Sequence, residues 1–194
     1  MRGIEQVPWL YDVLCSICER RGIGRWRRHL TAGAKGVVLD LGSGTGRNLP
    51  LLPPGVKAVG LDPSLGALER ARRRAPTVPL VVGSAEALPF RAGSFDTVLS
   101  GLVFCSVGDP HGGLAEVKRV LRAGGELRML EHIRSGVPWR ARVQDVIQPA
   151  WTRIAGGCHP NRDTERTVEA AGFHIEPEGR RAKGTARLFA ARAR

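Results

Sequence analysis

The residues with chemical promise begin at Asp40. This acid follows the apolar run Val37-Val38-Leu39 and precedes a turn with glycines at 42, 44 and 46. Glycine there permits positive φ and leaves no Cβ between the backbone and an approaching ligand. A Gly-x-Gly turn after a strand points to a nucleotide-like ligand where strand passes into helix. The spacing narrows the choice, because a dinucleotide fingerprint would place glycine or alanine at 47, where the chain has Arg47. Further on, the run Ala58-Val59-Gly60-Leu61 closes on a second acid, Asp62. A carboxylate at that point can accept hydrogen bonds from the two vicinal hydroxyls of a ribose.

More segments extend the pattern. Gly83-Ser84-Ala85-Glu86-Ala87-Leu88-Pro89-Phe90 follows a third apolar run, Leu80 to Val82. Ser94-Phe95-Asp96-Thr97-Val98-Leu99-Ser100 reads as a fourth strand, and the stretch from Glu116 to Gly125 as a helix and turn. Taken in order, these segments resemble the motifs of the class I S-adenosylmethionine (SAM) methyltransferases over roughly residues 35 to 135. The likeness is greatest to the type 11 group, which includes ubiquinone and menaquinone C-methyltransferases. Leu102-Val103-Phe104-Cys105-Ser106-Val107, Met129-Leu130-Glu131-His132, Gln148-Pro149-Ala150-Trp151 and Gly157-Cys158 are also similar to animal alkyl-thiol methyltransferases, membrane-associated enzymes of the same superfamily. That second resemblance reaches about residue 172.

The resemblance implies SAM as cofactor and S-adenosylhomocysteine as product. It assigns Asp40 to the methionine ammonium, and Gly42, Ser43 and Gly44 to backbone passing under the methionine and ribose. Asp62 would hold the ribose hydroxyls, beside Pro63, and Leu65 would pack on the adenine face. Ser84, Ala85 and Glu86 would edge the base, while Ser100 and Leu102 would line the methionine side. Two departures bear on this. Relatives usually carry aspartate where this chain has Ser84, whose hydroxyl accepts a weaker hydrogen bond than a carboxylate does; retained but weaker cofactor binding is the expectation. Many relatives carry a His-His pair where Cys105 and Ser106 stand, so a strong general base is less obvious. His132, after the fifth strand, leads for proton removal, since histidine exchanges protons nearest neutrality. His159 is a second candidate. Cys105 reads equally as a small buried apolar residue. Cys15-x-x-Cys18 sits on an amphipathic stretch beside Leu14 and Ile17, so no metal is expected.

These groups must be held by an alternating fold. The expected elements are strand 37–40, a helix from about 46, strand 57–61, helix 64–75, strand 79–82, strand 95–99, helix 111–122 and strand 125–131. Ser64 is a suitable N-cap for the second helix, and Gly124-Gly125 a suitable stop for the one at 111–122. From 137 to 171 the chain reads helical, with Pro149 as a kink or boundary and a second helix at 162–171. Strands near 173–178 and 185–191 form a hairpin around Gly184. The fold class is α/β: a Rossmann-like, seven-stranded, mostly parallel sheet with helices on both faces and an antiparallel C-terminal hairpin. Residues 1–194 read as one domain: an N-terminal helical cover (1–34), a SAM-binding core (35–135), and substrate-side helices with the closing hairpin (136–194).

The chain carries 30 Lys and Arg against 18 Asp and Glu, a net charge of +12. The excess is almost all arginine, concentrated at 20–28, 70–74 and 180–194. Only Trp26 and Phe189 stand among these clusters, and no RNA-binding module is recognisable, which argues against nucleic acid. They suit a solvated basic surface, or weak peripheral contact with an anionic membrane. No apolar run is long enough to span a bilayer, and no leader pattern opens the chain, so a cytoplasmic monomer or homodimer is expected. The partner expected is a small, fairly apolar methyl acceptor walled by Trp9, Tyr11, Trp139 and Trp151. Two alternatives stand beside this: a non-catalytic SAM-binding regulatory protein, and an RNA methyltransferase, though the chain lacks the Asn/Asp-Pro-Pro-Tyr tetrapeptide after strand four.

Overall fold

A computed structural model describes residues 22–154 and 157–193. Helix α1 (Gly24–Ala32) leads into β1 (Val37–Leu41), β2 (Lys57–Asp62), α2 (Leu65–Arg74), β3 (Leu80–Val82) and β4 (Phe95–Gly101). Then come α3 (Pro110–Val120), β5 (Leu121–His132), α4 (Pro138–Ile154), α5 (Thr164–Ala170), β6 (Phe173–Ile175), β7 (Arg181–Lys183) and β8 (Ala186–Ala193). The strands form one sheet in the order β3-β2-β1-β4-β5-β8-β6, with β7 paired to β8. β1 to β5 run parallel to their neighbours, and β8 inserts antiparallel between β5 and β6. The two expected C-terminal strands pair antiparallel as β6 and β8, but the turn at Gly184 joins β8 to an additional short strand, β7, which makes eight strands rather than seven.

Period-two alternation splits the core across the sheet. Val38, Leu99, Leu130 and Leu188 point to one face, where they meet Leu30 of α1. Leu39, Val98, Leu127, Met129 and Phe189 point to the other, where they meet Leu114 and Val117 of α3 and Val168 of α5. The central strands β1, β4 and β5 thus bury both faces, and their carboxyl ends are left to the loops that carry the chemistry.

Two local expectations are corrected. No α-helix starts at 46; only a single 3-10 turn forms, Leu49–Leu51. Pro50 opens that turn, and Pro53-Pro54 forces Leu52 into extended backbone. The helix at 111–122 ends at Val120 rather than at the glycines, because Leu121 is already extended and begins β5. Gly124, at φ +75°, lies beyond it, within β5. Pro149 sits inside α4, which runs through it to Ile154. Ser64 caps α2 as expected, accepting the Ala67 amide at 3.3 Å. The first part of the expected N-terminal helical cover, with Trp9, Tyr11, Cys15 and Cys18, lies outside the described residues. No helix of the described residues is long and apolar enough to cross a membrane.

α4 differs from the other helices in what it hides. Val143, Val146, Ile147 and Trp151 on the helix, with Trp139 near its start, are all exposed. Arg140 lies over the Trp139 ring, 5.2 Å from its centroid. Together the exposed apolar residues form an open face, next to the carboxyl end of β5.

Candidate active site

Asp40, the fourth residue of β1, is fully buried. Its Oδ1 accepts from Asn48 Nδ2 at 2.7 Å, and Asn48 Oδ1 accepts in turn from Arg27 Nη1 at 2.8 Å. Burial pushes the Asp40 carboxyl up to about 6, against the pull of the Asn48 hydrogen bond and the Arg27 charge. Its second oxygen, Oδ2, has no hydrogen-bond partner among the described residues. A buried carboxylate oxygen left in that state is costly, and such atoms commonly mark where a ligand belongs.

The turn above Asp40 is built by positive φ at Gly42 (+63°), Gly44 (+55°) and Gly46 (+79°). At Gly46 a Cβ would meet the Ala71 backbone at 2.8 Å, so this glycine lets α2 press against the turn. At Gly44 a Cβ would meet almost nothing, so there the glycine serves the backbone conformation and leaves open space beside it. Ser43 turns inward, donating to the Asp40 carbonyl at 2.8 Å. Asp62, ending β2, accepts from the Gly44 amide at 2.8 Å and the Ser64 amide at 2.9 Å. Burial raises its pKa while those two amides lower it. Each oxygen keeps a further lone pair for a ligand hydroxyl.

Beside Asp62 lies an apolar shelf. Leu65 is 61% exposed, and Val82, the register partner of Asp62 on β3, is 54% exposed. Pro63 is exposed between them. The Ser84 hydroxyl donates to Glu86 Oε2. Glu86 Oε1 accepts the Gly108 amide at 3.0 Å, tying this loop to the start of α3. The Ser84 hydrogen bond, foremost, holds the Glu86 carboxyl below its usual range. The Ala85 methyl is packed in the core, so only its backbone faces outward chemistry.

After β4 the chain bends at Leu102, the only non-glycine residue with positive φ among those described, at +64°. This strained turn is held by Glu131, a residue that the sequence reading did not single out. Glu131 is fully buried, and its Oε1 accepts from Ser100 Oγ at 3.0 Å, the Val103 amide at 2.9 Å and the Phe104 amide at 3.1 Å. Burial pushes it up to about 7 against those donors. Replacing the carboxylate leaves buried donors unmatched. Glu131→Ala is therefore expected to lower stability by about 3 kcal/mol, read as an earlier urea midpoint.

The structure brings Cys105 and His132 together through Cys158. The Cys105 thiol is buried, 3.7 Å from Ser106 Oγ, and its neighbour Cys158 raises it while being lowered in turn; burial adds to the first shift and opposes the second. His132 and Trp151 also contact the Cys158 sulfur and lower it further. His159 stands next in the chain, its amide donating to the Cys105 carbonyl at 2.7 Å and its Nδ1 buried without a partner among the described residues. No group of three or more His, Cys, Asp or Glu among the described residues could hold a metal ion.

A mostly parallel sheet with a glycine turn after its first strand and an acid closing its second defines a Rossmann-like class of α/β domain. Residues 39–129 match the family described as "Methyltransferase domain", and this segment belongs to that family. The chain is 37% identical to human thiol S-methyltransferase TMT1B over 150 residues, 73% of this chain and 62% of that protein. It is 36% identical to the demethylmenaquinone methyltransferase of Renibacterium salmoninarum over 159 residues, 78% of this chain and 66% of that one. It therefore spans just under two thirds of the length of these relatives. A methyltransferase solved in complex with the Haloferax volcanii Trm112 activator superposes with a TM-score of 0.75 at 21% identity, covering 100% of this chain and 98% of that one. At that identity the likeness shows the fold.

Proposed function

We propose that the protein transfers a methyl group from SAM to a small, fairly apolar acceptor: a thiol, a quinone or phenol ring, or a lipid headgroup. The observation that carries this reading is the buried, partnerless Oδ2 of Asp40 beneath the glycine turn. The methionine end of SAM presents an ammonium that would satisfy it, and a buried charge is stable only when paired. The remaining residues fit the cofactor. Gly42, Ser43 and Gly44 pass beneath it, Asp62 takes the ribose hydroxyls, and Pro63, Leu65 and Val82 form the shelf for the base. Ser84, Glu86 and the Ala85 backbone edge that base, while Ser100 and Leu102 line the methionine end through the turn that Glu131 holds.

When bound, SAM supplies a methyl on a sulfonium, already a good leaving group. The protein's part is then to align the acceptor and keep water out. The open face of α4, with Trp139 and Trp151, offers the apolar surface for that acceptor. His132, at the carboxyl end of β5, takes the acceptor proton. His159 lies on the loop that closes the same side, and the Cys105 thiol is engaged by Cys158. The names of the relatives set the first acceptors to try.

The test is methyl-labelled SAM incubated with an aliphatic thiol, a demethylated quinol, a phenol and phospholipid vesicles. Label is expected in at least one organic product. Tight binding of S-adenosylhomocysteine with no transfer to any acceptor would instead favour a non-catalytic SAM-binding role. His132→Asn is expected to lower kcat about a hundredfold, within the range for positioned acid–base groups, and to leave S-adenosylhomocysteine affinity unchanged by calorimetry.

A further inference from the structure

Cys158 has no part in the cofactor site, yet its surroundings are specific. It sits in the loop after α4, and Cys105 sits in the loop after β4; both are nearly inaccessible, at 9% and 2% exposure. The 2.7 Å bond from the His159 amide to the Cys105 carbonyl ties the two backbones together at this point. The α-carbons of residues 105 and 158 each lie about 2.4 Å from an atom of that bond, so they are at most about 7.5 Å apart, and a small approach of the two loops brings them within the reach of a disulfide. The two thiols lie close enough for each to shift the other's titration. Arg162 Nη1 ties the same loops again, donating to the Phe104 carbonyl at 2.7 Å and the Val107 carbonyl at 2.6 Å. A covalent link could form here with little movement of the loops.

We propose that Cys105 and Cys158 are a reversible dithiol–disulfide site, oxidised by a hydroperoxide, that staples the loop after α4 to the loop after β4. Cys158 is the attacking sulfur. The neighbouring Cys105 and His132 favour its thiolate, the nucleophilic form, whereas burial and Cys158 hold Cys105 as the thiol. The Cys158 sulfur bonds to one peroxide oxygen as the O–O bond breaks, giving a sulfenic acid and releasing an alcohol, or water from hydrogen peroxide. Cys105, losing its proton, then attacks the Cys158 sulfur and displaces water. In total two thiols are oxidised by two electrons and one hydroperoxide is reduced. The bond would fix the turn at Leu102, so a change in methyl transfer on oxidation rests on the function proposed above. The bond itself does not.

The test uses the full chain with Cys15→Ser and Cys18→Ser, so that only two thiols remain. After hydrogen peroxide, denaturation and iodoacetamide, intact mass should show a monomer lighter by two hydrogens and unalkylated, and dithiothreitol should restore two alkylatable thiols. Cys105→Ser in that background should stop at a Cys158 sulfenic acid that dimedone traps, and Cys158→Ser should leave Cys105 alkylatable. Two alkylatable thiols after peroxide, a disulfide only between chains, or sulfinic acid at Cys158 with Cys105 still present would each overturn the proposal. Because the readout is mass, it needs neither cofactor nor acceptor and stays separable from the methyltransferase reading.

Discussion

Asp40→Asn is expected to lose S-adenosylhomocysteine affinity by about 10²–10³-fold while keeping the fold, with a stability advantage that grows as pH rises. The affinity loss follows from removing the buried anion that faces the ligand ammonium, worth about 3–5 kcal/mol when one partner of such a pair is deleted. The fold survives because an asparagine oxygen can still accept from Asn48, as Asp40 Oδ1 does now. The pH dependence follows from linkage. Asp40 in the folded chain titrates at about 6, above its ordinary 3.8, chiefly through burial. A carboxyl raised in this way stabilises the fold when protonated; that contribution is complete below the unfolded value and lost as pH climbs through the folded one. Wild type should thus lose about 1.4 kcal/mol relative to the asparagine variant between pH 5 and pH 8, read from paired urea melts. In wild type, calorimetric affinity for S-adenosylhomocysteine should also fall about tenfold per pH unit below 6, because the ammonium needs the ionised form.

Asp62→Ala is expected to weaken S-adenosylhomocysteine binding by about 10²–10⁴-fold. Two hydroxyls donating to one carboxylate contribute about 1.5–3 kcal/mol each. Asp62 also receives the Gly44 and Ser64 amides, so part of any loss could come from a loosened turn. A cycle separates the two contributions. Removing the ribose 2′-hydroxyl from the ligand should cost affinity with wild type and cost little with Asp62→Ala. Equal costs for both proteins would mean that the carboxylate does not hold the sugar.

The sequence was informative wherever function depends on the end of a strand. Asp40 and Asp62 are read as strand-end acids from the apolar runs before them, and the structure places both at the carboxyl edge of adjacent parallel strands. Ser64 was legible as a cap for the same local reason. The helix expected from 46 failed because prolines at 50, 53 and 54 outweighed the fold's usual strand-to-helix passage. Contacts across the chain were not legible. Asn48 and Arg27 reach Asp40 only once α1 and the 3-10 turn pack together, and no local pattern marks them. Glu131 looks like any acid near a strand end until β4 and β5 pair and the turn at Leu102 closes over it. The meeting of Cys105 with Cys158 depends on two loops folding onto each other, and the exposure of the apolar residues on α4 depends on what packs against that helix.

A crystal structure grown with S-adenosylhomocysteine addresses the central claim most directly. The amino group should lie within hydrogen-bond distance of Asp40 Oδ2, with both ribose hydroxyls on the Asp62 carboxylate and the base on Leu65 and Val82. A ligand seated away from the glycine turn, or an Asp62 side chain turned from the sugar, would contradict it.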